Sequence, residues 1–191
     1  MWREQIRPAF MVFIVLTVIT GVIYPLFVTG VAQIFFYKQA NGSLLYAEDG
    51  SVVGSSLVGQ NFDDPRYFWG RPSATSPAYN ALASSGSNLG PSNPALVAAV
   101  RARIAALKIV DPENQAAIPI DLVSASASGL DPHLSLAGAY YQLSRVARLR
   151  KLPEAKVRQI VQQNISGRFL GLAGEPVINI LKVNLALDSL N

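Results

Sequence analysis

From Ala9 to Phe36 the chain runs 28 residues without a single Asp, Glu, Lys or Arg, and 21 of them are hydrophobic. A bilayer-crossing helix needs about 20 apolar residues at about 1.5 Å each, so this run is long enough to span, with length left for tilt. It also exceeds the apolar core of a cleaved signal peptide, usually about 7–15 residues, although Gly30-Val31-Ala32 carries small residues at cleavage-like spacing. The remaining sequence has the composition of an ordinary globular domain and is large enough to bury its own core. Residues 1–8 therefore read as a flanking segment, 9–36 as a transmembrane helix and 37–191 as one soluble domain.

Charge sets the expected direction. Arg3 and Arg7, opposed by Glu4, precede the span, whereas Lys38 stands alone beyond it until Glu48 and Asp49. The positive-inside rule puts the N-terminus in the cytoplasm and the domain outside it. Trp2 and Tyr37 are placed as interfacial anchors, and Pro25 should kink the helix or end its regular part. Thr17, Gly21, Tyr24 and Val28 share one face at regular helical spacing; small and hydroxyl side chains there suit a second helix. The chain has no cysteine, which excludes disulfides, thiolate metal sites and a thiol nucleophile.

In the domain, residues 44–47 and 51–58 form an expected β-hairpin around Glu48-Asp49-Gly50. Residues 59–94 are too rich in Gly, Pro, Ser and Asn for a long regular element, but the embedded Tyr67-Phe68-Trp69 argues that the stretch folds. Asn93-Pro94 starts a helix over 94–108 with Val97, Val100, Ile104 and Leu107 inward. Ser135 caps a helix over 136–150 with Leu136, Tyr140, Leu143 and Ala147 inward, and Pro153 opens another to about 163. Residues 177–181 read as a strand and 184–190 as a short helix. Strands and helices without strict alternation indicate an α+β domain.

Little in this chain suits catalysis. It contains no P-loop motif, and its one histidine, His133, sits in a turn-forming Asp131-Pro132-His133 sequence. Tyr141, Gln142, Arg145 and Arg148 form the polar face of helix 136–150, which either docks a polar or anionic ligand or faces water. Six basic residues against Glu154 between Arg145 and Arg158 account for much of the basic pI; membrane-surface contact or solvation explains them better than nucleic acid.

Five ordered motifs follow the span: Gly59-Gln60-Asn61-Phe62; Tyr67-Phe68-Trp69-Gly70-Arg71-Pro72-Ser73-Ala74; Ser85-Gly86-Ser87-Asn88-Leu89-Gly90-Pro91-Ser92-Asn93-Pro94; Ser126-Ala127-Ser128-Gly129-Leu130-Asp131-Pro132-His133; and Gly174-Glu175-Pro176 with Asn184-Leu185-Ala186-Leu187-Asp188. In these the chain resembles, over essentially its full length, the C subunit of the Kdp potassium-transporting ATPase. The resemblance implies a non-catalytic, single-pass subunit of an ATP-driven potassium importer in a bacterial inner membrane, with a periplasmic domain. Its implied partners are a channel-like potassium-translocating subunit, a P-type ATPase subunit and a small fourth peptide. No covalent cofactor is implied; ATP enters only with the ATPase subunit.

Two roles attach to that family. In one, a catalytic chaperone raises the pump subunit's ATP affinity through a glutamine that contacts nucleotide, the position matched by Gln142. In the other, the subunit is an outward-facing scaffold. The charge-derived direction separates Gln142 from cytoplasmic ATP, which favours the scaffold or an indirect effect. Partner-facing candidates are Phe68, Arg71, Asn88 and Asn93 in the motifs, with Thr17 and Gly21 in the span. The alternatives are a membrane-anchored binding module and a cell-wall-acting enzyme, the latter resting on Asp63-Asp64 or on Asp131 with His133.

Overall fold

A computed structural model describes residues 2–47 and 49–190; the side chains of Trp2 and Arg3 and the hairpin residue Glu48 lie outside the described residues. The chain divides into two compact units, Met1–Leu44 and Leu45–Asn191.

The first unit is helical: α1 over Trp2–Val18, a π-helical turn over Ile19–Ile23, α2 over Tyr24–Phe35 and the single turn α3 over Tyr37–Ala40. Glu4–Phe35 is long and apolar enough to cross a membrane, and none of its described side chains is buried. The π-turn has a cause in the sequence. Pro25 has no N–H, and its ring would clash with the carbonyl one α-turn earlier, that of Gly21. The helix widens ahead of it, so that the Tyr24 N–H reaches back five residues to the Ile19 carbonyl. Thr20 Oγ1 donates to the Leu16 carbonyl at 2.7 Å on the same stretch. The expected effect of Pro25 is thus a change of helix type, not a break.

The second unit begins with a hairpin, β1 over Leu44–Tyr46 and β2 over Val52–Ser55, shorter than the sequence suggested. Its turn is held by the Gly50 N–H on the Ala47 carbonyl and by Asp49 Oδ1 accepting from the Ser51 N–H at 2.9 Å. Residues 56–93 carry no regular element, yet they contribute Phe68 and Trp69 to the core. Then come α4 over Pro94–Val110, a 3₁₀ turn at Ile120–Leu122, β3 over His133–Ser135, α5 over Leu136–Arg150, α6 over Glu154–Gln163, β4 over Ile165–Ser166, β5 over Val177–Asn179 and α7 over Ile180–Asp188. The arrangement is α+β.

The three later strands make an antiparallel sheet in the order β3-β5-β4, with Leu134 and Ile165 both opposite Ile178. Two of these strands pass directly into helices, and the last residue of each strand is the helix cap. Ser135 Oγ accepts from the Gly138 N–H at 3.0 Å, and Asn179 Oδ1 accepts from the Lys182 N–H at 3.1 Å. This corrects one expectation: the strand read over 177–181 stops at Asn179, and the helix starts at Ile180 instead of Asn184. Pro94 and Pro153 open α4 and α6 as expected, and Val157, Ile160 and Val161 are buried. On α4 only Leu107 of the expected stripe is fully buried, and Val97 is exposed.

Candidate functional site

Helix α5 was expected to turn Gln142 and Arg145 toward a ligand or toward water. It does neither: each is 1% exposed. The helix is covered on two sides. Leu143, Val146 and Ala147 join the core, while Gln142 and Arg145 lie under the irregular segment that carries Tyr67-Phe68-Trp69.

That segment has no neighbouring strand, so its buried backbone groups need partners from side chains. Two amides supply them. The Trp69 N–H donates to Gln142 Oε1 at 2.9 Å, and Gln142 Nε2 donates to the Trp69 carbonyl at 3.0 Å. One residue earlier, the Phe68 N–H donates to Asn184 Oδ1 at 2.9 Å, and Asn184 Nδ2 donates to the Phe68 carbonyl at 3.0 Å. Each amide thereby does for one residue what a paired strand would do. Gln142 Nε2 also donates to the Gly138 carbonyl at 3.3 Å, and Arg145 Nη2 donates to Gln142 Oε1 at 2.6 Å. Both hydrogens and both acceptor positions of the Gln142 amide are engaged within this chain.

Cations complete the clamp. The Arg103 and Arg145 guanidiniums each lie 5.0 Å from the Trp69 ring centroid. Arg103 donates to the carbonyls of Leu122 and Gly70 at 3.1 and 2.9 Å, and Arg145 donates to that of Pro65. Burial pushes Arg145 down to about 10, so it remains charged at neutral pH. Arg150 lies 4.6 Å from the Tyr67 ring centroid and pairs with Asp188 at 2.7 Å; Arg148 pairs with the buried Asp111 at 2.8 Å. Much of the basic run from Arg145 to Arg158 is thus committed to internal partners.

The motif loops are laced to one another as well. The Ser85 N–H donates to the Ser128 carbonyl at 2.9 Å, Ser73 Oγ to the Gly129 carbonyl at 2.7 Å, and the Gly59 N–H to the Leu130 carbonyl at 2.7 Å. Gly129 has φ +67°, and a Cβ there would stand 2.6 Å from the Ser85 carbonyl oxygen, so only glycine permits this approach.

Where the laced loops reach solvent, charge collects. Arg71 Nη1 lies 3.6 Å from Asp131 Oδ2, and His133 Nδ1 lies 3.3 Å from Asp131 Oδ1. The three line a depression of about 670 Å³ with Leu57, Val58 and Ser126–Ser128. The His133 imidazole holds the Asp131 carboxyl below the usual carboxylate range, helped by the His133 N–H and Arg71 and opposed by partial burial. A carboxyl lowered in the folded state stabilises above its unfolded value, about 3.9, and that contribution disappears as pH falls through the lower folded value. Asp131→Asn is expected to cost about 1 kcal/mol at neutral pH, with the difference from the parent chain shrinking below about pH 4. Thermal melts across pH 3–7 measure this directly.

The structure separates the expected partner-facing residues. Phe68 is 0% exposed and is a core residue; its contacts are with this chain, which corrects its assignment to a surface. Asn93 is half-buried and caps α4, accepting from the Ala95 N–H at 2.9 Å. Asn88 is exposed at φ +51°, a backbone region that asparagine tolerates well, and Arg71 lies at the depression. Thr17 and Gly21 are exposed. Asn184 and Arg103 were missed. Asn184 was detectable as a polar residue on the apolar stripe Ile180, Val183, Leu187; nothing local marks Arg103.

The KdpC family model, described as the c chain of a K+-transporting ATPase, matches residues 6–189. The chain belongs to the KdpC family. A curated KdpC subunit of a potassium-transporting ATPase from Polaromonas naphthalenivorans is 62% identical over 189 residues, covering 98% of this chain and 96% of that protein. The corresponding subunit from Dechloromonas aromatica is 59% identical over 190 residues, 99% of both chains. The KdpC match includes the whole clamp and the depression, so these belong to the part of the chain that the family model describes.

Proposed function

We propose that this chain is the non-catalytic accessory subunit of an ATP-driven potassium importer in a bacterial inner membrane, and that it acts as an outward-facing scaffold. Its N-terminus is cytoplasmic and its domain periplasmic. It assembles with a channel-like potassium-translocating subunit, a P-type ATPase subunit and a small fourth peptide. Any rise in the ATP affinity of the pump subunit is transmitted indirectly. Support comes from the full-length family relationship, from one apolar run with Arg3 and Arg7 on its near side, and above all from the Gln142 amide. A side chain that is 1% exposed and bonded at every polar position has no group left for a nucleotide. Coupling free energies between distant sites are commonly about 1–3 kcal/mol, or roughly 5–150-fold in affinity, so an indirect effect on ATP needs no contact.

The enzyme alternative finds little to work with. Asp64 is bound to Arg66, Asp63 accepts from Asn61, and Asp131 is engaged by Arg71, by the His133 ring and by the His133 N–H. Affinity purification of the full chain from detergent-solubilised membranes should bring larger membrane subunits at fixed ratio, and the chain alone should hydrolyse neither ATP nor cell-wall material. Recovery of the chain by itself would support the binding-module alternative and contradict this reading.

A further inference from the structure

One surface feature has no part in the clamp or the depression. The connection between β4 and β5 projects Phe169, Leu170 and Leu172, which are 74%, 80% and 87% exposed. Three large apolar side chains side by side on a short turn form an exposed apolar patch of a kind that soluble surfaces rarely carry without a use. The turn is preformed: the Phe169 N–H donates to the Ala173 carbonyl at 2.8 Å, and the Ala173 N–H donates back to Phe169 at 3.1 Å. Leu170 at φ +51° and Gly171 at φ +74° make the reversal between them. Arg168 stands at its base, and no acidic residue occurs from Glu154 until Glu175.

We infer that the Arg168–Ala173 turn dips into the lipid bilayer, with Phe169, Leu170 and Leu172 below the headgroups and Arg168 on lipid phosphate. Two observations select lipid as the occupant. The domain is covalently joined to a helix able to cross a membrane, with only eight residues between Phe35 and β1, so a bilayer surface is its standing neighbour. The apolar tip with a cation at its base complements an anionic interface, where arginine keeps its charge at the phosphate level while its stem and neighbours enter the apolar layer. A bilayer contact would give the domain a second point of attachment besides its helix, limiting its rotation about the tether. This does not depend on the potassium reading.

Because the chain has no cysteine, single-cysteine variants report one position each. Leu170→Cys and Leu172→Cys carry an environment-sensitive fluorophore on the full chain, reconstituted in phosphatidylethanolamine–phosphatidylglycerol vesicles. Leu82→Cys, at a site 97% exposed in a different loop, serves as the aqueous reference. Both turn positions should emit to the blue of position 82, lose at least about twofold of their emission to lipid-borne quenchers, and resist iodide in water. Iodide access equal to that at position 82 would overturn the inference. So would a blue shift that arises only when the other transporter subunits are co-reconstituted, since the tip would then be covered by protein.

Discussion

Gln142→Ala should unfold at a temperature lower by on the order of 10 °C than the parent chain. The substitution strips partners from the Trp69 N–H and carbonyl and an acceptor from Arg145, all inside the domain. A buried polar group left unsatisfied costs about 1–3 kcal/mol, so the variant loses about 3–5 kcal/mol. For a domain of this size each 1 kcal/mol moves the melting temperature by about 2–4 °C. Gln142→Glu should be milder, because the carboxylate still accepts from Trp69 and gains the charge of Arg145, yet it cannot donate to the Trp69 carbonyl. Ser144→Ala, on the exposed side of the same helix, should stay within about 0.5 kcal/mol of the parent. A nucleotide-contact role for Gln142 requires the opposite pattern, an unchanged melt and a weakened response to ATP. The melts are measured on the full chain in detergent, so that folding and transport are not confounded.

The elements legible in the sequence are those with local signatures. Asn93-Pro94, Ser135 and Pro153 mark helix starts by their own chemistry, and the structure places α4, α5 and α6 within a residue or two of them. Asn179 has the same chemistry, but it follows Val177 and Ile178, whose strand preference hid the cap. The buried polar face of α5 was not legible at all. Gln142 and Arg145 have the spacing of a solvent-facing pair, and what covers them is an aperiodic segment from more than 70 residues earlier, whose backbone demand for partners leaves no trace in local pattern. Phe68 was misread for a related reason. An aromatic residue within a motif looks the same whether it meets a partner or its own core, and only the fold tells Phe68, fully buried, from Leu82, fully in solvent.

In the proposed orientation α5 and its amide clamp lie on the far side of the membrane from ATP. A single cysteine at Ser144, an exposed position of α5 two residues from Gln142, tests this with an all-or-none readout in a chain that has no other thiol. Intact spheroplasts are treated with a membrane-impermeant maleimide, with lysed cells as the positive control. The expected result is labelling in intact spheroplasts equal to that after lysis. Protection in intact spheroplasts with labelling only after lysis would contradict the proposed orientation and put the domain in the cytoplasm, on the same side as ATP.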